Sequence, residues 1–243
     1  MRTVGIIGGM GPDATVDLFR RIVDLTPARG DPDHIRILID NNPQIPDRTP
    51  SIEGHGPSPL PALLAMARGL IASGADFLAI PCNTAHHWYD ELASAVEAPI
   101  LHMIRLAALQ AQKRFPAVKR YGLLATTGAI RSGLYQAAFG EKSLDLLLPT
   151  PEEQKTLVTP AIYGPDGVKG GHTAGLPRAR IDQAVTALLS RGAEGIVLGC
   201  TELPLLYHGD YPENVRAWVD PTEILAQTCV DYALGGDLPE GSA

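Results

Sequence analysis

The chain has 243 residues, 45% of them hydrophobic and 19% charged, which is enough apolar content for a sizeable core and excludes wholesale disorder. A formal net charge of −7 argues against a nucleic-acid binder or a polybasic membrane-surface protein, yet leaves room for a locally basic site that takes a small anion. No apolar run approaches the roughly 18 residues of a membrane helix, and three cysteines, at 82, 200 and 229, suit a reducing cytoplasm better than a disulfide framework.

TVGIIGG, residues 3–9, reads as a first strand rather than a leader segment. It runs into a glycine turn, GIIGGMGPDAT, whose spacing is G-x-x-G-G-x-G and not the dinucleotide pattern G-x-G-x-x-G. The turn is expected to offer backbone N–H groups to a carboxylate. A helical pattern follows over 13–26, then a strand over 34–40 ending at Asp40, a weak candidate for a ribose acceptor. Residues 40–59 form a long Pro-, Gly- and Asn-rich loop carrying Arg48. A helix over 60–74 leads to the strand ADFLAIPC, 75–82, which ends at Cys82 and is followed by Asn83, Thr84 and a helical pattern.

Further strands are expected over 98–103, 120–126, 143–149 and 194–200, with helices over 103–115, 134–140 and 180–192. The strand at 120–126 ends at Thr126 and Thr127, which serve either a ligand or a helix cap. A second long loop, 159–177, carries Lys169, with His172, Arg178 and Arg180 as competing cations. The strand EGIVLGC ends at Cys200 and runs into Thr201 and Glu202. A final helix lies in 219–236.

Near-continuous apolar strands between amphipathic helices imply an α/β fold with parallel sheets. The chain also repeats. LIASGADFLAIPCNT lies over LLSRGAEGIVLGCTE without a gap, placing Leu70 on Leu188 and Cys82 on Cys200 at an offset of 118. VGIIGGMGPDAT lies over YGLLATTGAIRS at an offset of 117, with Gly5 on Gly122. Two segments sharing one long period indicate two pseudo-symmetric Rossmann-like or flavodoxin-like domains. The expected division is 1–100 plus 208–243 for the first and 101–207 for the second. Arg48 and Lys169, 121 residues apart, extend the symmetry to one cation per half.

Cys82 and Cys200 both end strands, where ligands of open α/β sheets bind. If each opens a helix, unpaired N–H groups and the positive dipole end favour the thiolate and lower the thiol pKa. Halves facing across a cleft bring two sulfurs to opposite sides of one molecule. One then removes a proton while the other returns one, as inversion at carbon requires. The commoner fate of a cytosolic cysteine is burial as a small apolar group, which is the reading taken for Cys229. A zinc site using Cys82, His86 and His87 lacks a closely spaced cysteine pair. The guanidinium of Arg48 suits a carboxylate through two parallel hydrogen bonds, unless it is a solvated loop charge.

GIIGGMGPDAT, NNPQIPDRT, PCNTAH, IYGPDGVKGG and GCTELPLL together resemble the aspartate/glutamate racemase superfamily, in its aspartate racemase branch. The resemblance implies two α/β domains with the active site in a cleft between them, no cofactor, no metal and a homodimer. It implies a dicarboxylic amino-acid substrate and Cys82 and Cys200 as paired acid and base. Asn83, Thr84, Thr201 and Glu202 would line the substrate's amino and carboxylate groups. Met10 and Thr127 would lie near the α-carboxylate, and Arg48 and Lys169 would hold the side-chain carboxylate. The alternatives are a hydantoin-type racemase or another isomerase on this scaffold, a decarboxylase, which needs only one cysteine, and a non-catalytic amino-acid-binding module.

Overall fold

The apolar strands assemble into two four-stranded parallel sheets in the computed structural model, which describes residues 1–239 and 241. The first unit comprises Met1–Leu106 and Thr222–Ala243, the second Ala107–Pro221. In the first, β1 (Val4–Gly8), β2 (Ile37–Asn41), β3 (Phe77–Ala79) and β4 (Ile100–Leu101) run in the order β2-β1-β3-β4. In the second, β5 (Arg120–Ala125), β6 (Asp145–Leu147), β7 (Gly195–Gly199) and β8 (Ala217–Val219) run in the order β6-β5-β7-β8. All positions of β1 and β7 are buried, as expected of inner strands covered on both faces, whereas edge strands β2 and β6 are only half-buried.

The repeat in the sequence is a repeat of packing. Gly5 pairs with Leu78 across β1 and β3, and Gly122 with Ile196 across β5 and β7. A Cβ at Gly5 would stand 2.7 Å from the Leu78 side chain and 3.2 Å from Leu70 Cβ. One at Gly122 would stand 2.8 Å from the Leu188 side chain and 2.9 Å from that of Ile196. Each glycine therefore lets one helix, Leu60–Ala72 or Leu176–Ser190, close onto the central strand of its own sheet. The matched positions of the two halves are held by matched contacts.

Several elements differ from the sequence reading. The long loop at 40–59 contains the helix Arg48–Ile52, capped by Asp47, whose side chain accepts from the Thr49 N–H. The second long loop contains the helix Thr159–Tyr163 and a 3-10 turn, Val168–Gly170. A capping box joins Thr150 and Glu153 ahead of a π-helical turn, Gln154–Val158. β8, a three-residue apolar run between Arg216 and Asp220, was not expected as a strand, but it pairs with β7 and carries residues 208–221 into the second unit. The divisions accordingly fall inside the helix Met103–Arg114 and at the start of the helix Pro221–Ala233, later in the chain than the expected 100 and 207. That last helix lies in the first unit, where the Arg2 N–H donates to the Ala233 carbonyl at 2.9 Å and Tyr232 meets Phe77 edge to face. Among the described residues no helix is long and apolar enough to cross a membrane.

Candidate active site

In the first unit β1 leads through Gly9 and Met10 into the helix Pro12–Leu25. Thr15 organises this turn from one helical turn ahead. Its Oγ1 accepts from the Gly9 N–H at 2.9 Å and donates to the Gly11 carbonyl at 3.1 Å. The expected supply of N–H groups for a carboxylate is thus reduced at Gly9, whose N–H is committed inside the fold. Met10 is buried in the same apolar cluster as Cys82.

Cys82 is 5% exposed and opens no α-helix; a 3-10 turn, Thr84–Trp88, follows. Asn83 and Thr84 are buried beside it in the chain. His86 anchors the segment. The Met103 N–H donates to its Nε2 at 3.2 Å, so Nδ1 carries the proton and donates to the Cys82 carbonyl at 2.9 Å. With both ring nitrogens engaged and His87 exposed, the zinc alternative loses His86 as a ligand. Among the described residues no group of three or more His, Cys, Asp or Glu is placed to hold a metal.

Arg48 is buried at 8% exposure and is not a solvated loop charge. Its Nη1 donates to the Ile45 and Pro46 carbonyls at 3.4 and 3.2 Å. Its short helix packs against the Thr84–Trp88 turn, so folding brings the Arg48 segment to the residues that follow Cys82.

His86 and His102 lie with ring centroids 4.9 Å apart. Burial lowers both; His102 is pushed down to about 2 by burial, then by His86 and Arg105. The unfolded chain binds protons at these rings below about pH 6.5 and the folded chain does not, so stability is whole above that pH and falls as the pH drops toward 2. The His102 ring is expected to remove up to about 1.4 kcal/mol per pH unit in that window, and His86, lowered by burial as well, contributes in the same direction. Urea midpoints at pH 7.5 and 5.5 check this, and an unchanged midpoint would contradict neutral burial.

In the second unit Thr126 directly follows β5 and caps the helix Thr127–Arg131 by accepting from the Ala129 N–H at 3.1 Å. Its capping alternative is realised, and Thr127 stands half-buried as the first helical residue. Cys200 directly follows β7 and is 5% exposed. No α-helix starts after it; the chain turns through Thr201 and Glu202 into a 3-10 turn, Pro204–Leu206.

The Cys200 thiol donates to Glu202 Oε2 at 3.0 Å, and Thr201 Oγ1 donates to the same oxygen at 3.2 Å. Lys169 Nζ reaches Glu202 Oε1 at 2.6 Å and lies 5.7 Å from the Tyr163 ring centroid. Burial, then the negative charge of Glu202, pushes the Cys200 thiol well above its ordinary range, against the pull of Lys169. This reverses the expectation of a lowered pKa, because a carboxylate and an apolar shell replace the helix terminus. Burial also pushes the Glu202 carboxyl upward, but Lys169 and the hydrogen bond from Cys200 hold it below its usual value.

Lys169 and Glu202, expected at different groups of a substrate, are therefore paired with each other. Arg178 leaves the competition: it bonds Asp182 and the Leu206 carbonyl and lies 3.9 Å over the Tyr207 ring. Thr15, Tyr135 and the anchoring role of His86 were not read from the sequence. The spacing of four between Cys82 and His86 was the one available signal. Tyr135 is fully buried, and its ionisation is pushed well above the usual range by burial, then by Cys200 and Asp220.

Counted from the paired residues Leu78 and Ile196, which face Gly5 and Gly122, Cys82 and Cys200 each lie four positions on. The two thiols hold equivalent places at the carboxyl ends of equivalent strands.

The family model described as Asp/Glu/Hydantoin racemase matches residues 7–229. The chain is 26% identical to the broad specificity amino-acid racemase RacX of Bacillus subtilis over 243 residues, covering 95% of this chain and 98% of that protein. The solved structure of Picrophilus torridus aspartate racemase is similar at a TM-score of 0.80 and 28% identity, covering 99% of this chain and 97% of that one. A glutamate racemase of Corynebacterium kroppenstedtii is 31% identical over 160 residues, 63% of this chain and 52% of that protein.

Proposed function

The chain belongs to the Asp/Glu/hydantoin racemase family and is an amino-acid racemase, and on that premise we propose that it inverts aspartate without a cofactor, with Cys82 and Cys200 as the paired acid and base. The observation that carries this reading is the equivalence of the two thiols in two equivalent sheets. One sulfur takes the proton from Cα, leaving the electron pair on carbon. The other thiol gives its proton to the opposite face and keeps its electrons on sulfur. Acid–base assistance supplies roughly 10²–10⁴-fold per group; positioning and electrostatic stabilisation of the carbanion supply the remainder. Asn83, Thr84 and Thr201 are assigned to the amino and carboxylate groups, Met10 and Thr127 to the vicinity of the α-carboxylate, and Arg48 to the distal carboxylate.

Aspartate is favoured by the similarity to Picrophilus torridus aspartate racemase over nearly the whole of both chains. A broader amino-acid range is the second reading. Both the similarity to RacX and the engagement of Lys169 with Glu202, rather than with a distal carboxylate, favour it. The proposal places the enzyme in the cytoplasm, where its three free thiols stay reduced, and as a homodimer. Light scattering that reads a single chain would remove the dimer.

The test incubates L-aspartate, L-glutamate and several neutral L-amino acids with the protein in D₂O. D-Aspartate carrying deuterium at Cα is the expected product, read by chiral chromatography and mass spectrometry. Inversion of the neutral amino acids at comparable rates establishes the second reading. No exchange at Cα of any of them removes both.

A further inference from the structure

Glu202 was expected among the groups that line a substrate, yet both of its oxygens are occupied within its own unit. Oε1 takes Lys169 at 2.6 Å; Oε2 takes the Cys200 thiol at 3.0 Å and the Thr201 hydroxyl at 3.2 Å. The carboxylate is 3% exposed and is held at both ends, so it cannot swing away from the sulfur. An ionised carboxylate only accepts hydrogen bonds, so the proton in the contact with Cys200 belongs to sulfur. We infer that Glu202 is a positioning residue: anchored by Lys169, it holds Cys200 as the thiol, which makes Cys200 the proton donor and Cys82 the proton acceptor of the resting enzyme. This rests on the two-thiol reading above and adds the direction in which the pair is charged.

The surroundings of Cys200 agree. Thr201 and Glu202 face it from its own turn, Lys169 from the Val168–Gly170 turn, and Tyr135 from the helix Leu134–Glu141. Tyr135 stays neutral, so the charges acting on the sulfur are the Glu202 carboxylate in direct contact through Oε2 and the weaker opposing pull of the Lys169 ammonium on Oε1. A thiolate formed there confronts the carboxylate at hydrogen-bond range in a buried site, where like charges repel strongly.

The proton balance follows. The Cα–H bond breaks, its proton goes to Cys82 sulfur and its electron pair stays on carbon. The Cys200 S–H bond then breaks, its proton goes to the other face of Cα and its electron pair stays on sulfur. The resulting Cys200 thiolate is opposed by Glu202, and the resting state returns when Cys200 takes a proton from solvent and Cys82 releases its own, or when the opposite enantiomer gives its Cα proton to Cys200 and takes the one on Cys82. The substrate enantiomer that presents its Cα–H to Cys82 is therefore the one the resting enzyme is charged to accept.

Glu202→Gln tests this in the full-length enzyme. It keeps the shape and an acceptor oxygen while removing the charge. Iodoacetamide alkylation at stepped pH, with peptide mass mapping, reads each cysteine separately. The pH of half-maximal reaction at Cys200 is expected to fall by at least about one unit in the variant, about a tenfold rise in thiolate at a given pH, while Cys82 keeps its profile. In racemisation assays kcat is expected to fall about tenfold or more with KM held within about threefold, since a group acting through Cys200 and not on the substrate contributes to the chemical step. Glu202→Asp, which retracts the charge, is expected to lie between, and it decides by the same readouts if the glutamine variant does not fold. An unmoved Cys200 profile overturns the inference. So does a tenfold rise in KM at unchanged kcat, which would make Glu202 a substrate contact. If the wild type inverts no amino acid, the two-thiol reading fails, and the alkylation profile still decides whether Glu202 holds the Cys200 proton.

Discussion

Serine at position 82 or position 200 is expected to lower racemisation by roughly 10²–10⁴-fold, the usual worth of one acid or base group. A hydroxyl nearly matches a thiol in shape, so the buried sites at 5% exposure accept it with little repacking. Its proton is far less acidic, so serine neither forms the base nor delivers a proton on the timescale of the reaction. The losses are not expected to add, because inversion needs both groups and the second replacement removes a step already blocked. Cys229→Ala is the control. That thiol is fully buried, and burial alone raises its pKa. The replacement is expected to cost some stability and leave turnover in place. Chiral chromatography on the three variants decides. A serine variant at either strand end that racemises at the wild-type rate ends the two-thiol mechanism.

Gly9→Ala is expected to lower stability by about 2–5 kcal/mol and Tm by roughly 10 °C. Gly9 has φ +97°, in the region that side chains disfavour. A Cβ built there stands 2.3 Å from the carbonyl carbon and oxygen of Asn42. Those are backbone atoms just beyond β2, so no rotamer change relieves the overlap. β1 and β2 must separate at that end, or the turn must abandon the bond from the Gly9 N–H to Thr15. Either change displaces Met10, which packs in the same cluster as Cys82. Activity is accordingly expected to fall with stability. Calorimetry and the racemisation assay on one preparation check both, and a Tm within about 2 °C of wild type would show that β2 yields easily.

The parts of the fold visible in the sequence are those written in local pattern. β1, β3, β5 and β7 are short apolar runs bounded by glycine or charge, and their neighbouring helices carry helical spacing. β8 left no such trace, because Arg216 and Asp220 bound its apolar run of three residues, whereas the equally short β3 sits inside a longer apolar run. The π-helical turn at Gln154–Val158 and the short helix at Arg48–Ile52 were likewise hidden, since proline and glycine nearby read as loop. The two cysteines were visible because the repeat lines them up, and the structure keeps that alignment in the strand registers. The helix termini expected behind them were not found, because Asn83-Thr84 and Thr201-Glu202 lead into 3-10 turns instead.

By itself the sequence determined the parallel α/β class, the internal duplication and the equivalence of Cys82 with Cys200, because each depends on residue type at short or regular spacing. Only the tertiary structure decided what those thiols touch. Glu202 meets Lys169 across 33 residues of chain, and the Met103 N–H meets His86 across 17. Such contacts are set by how loops close over a sheet, and burial then fixes the charge state of the groups they bring together.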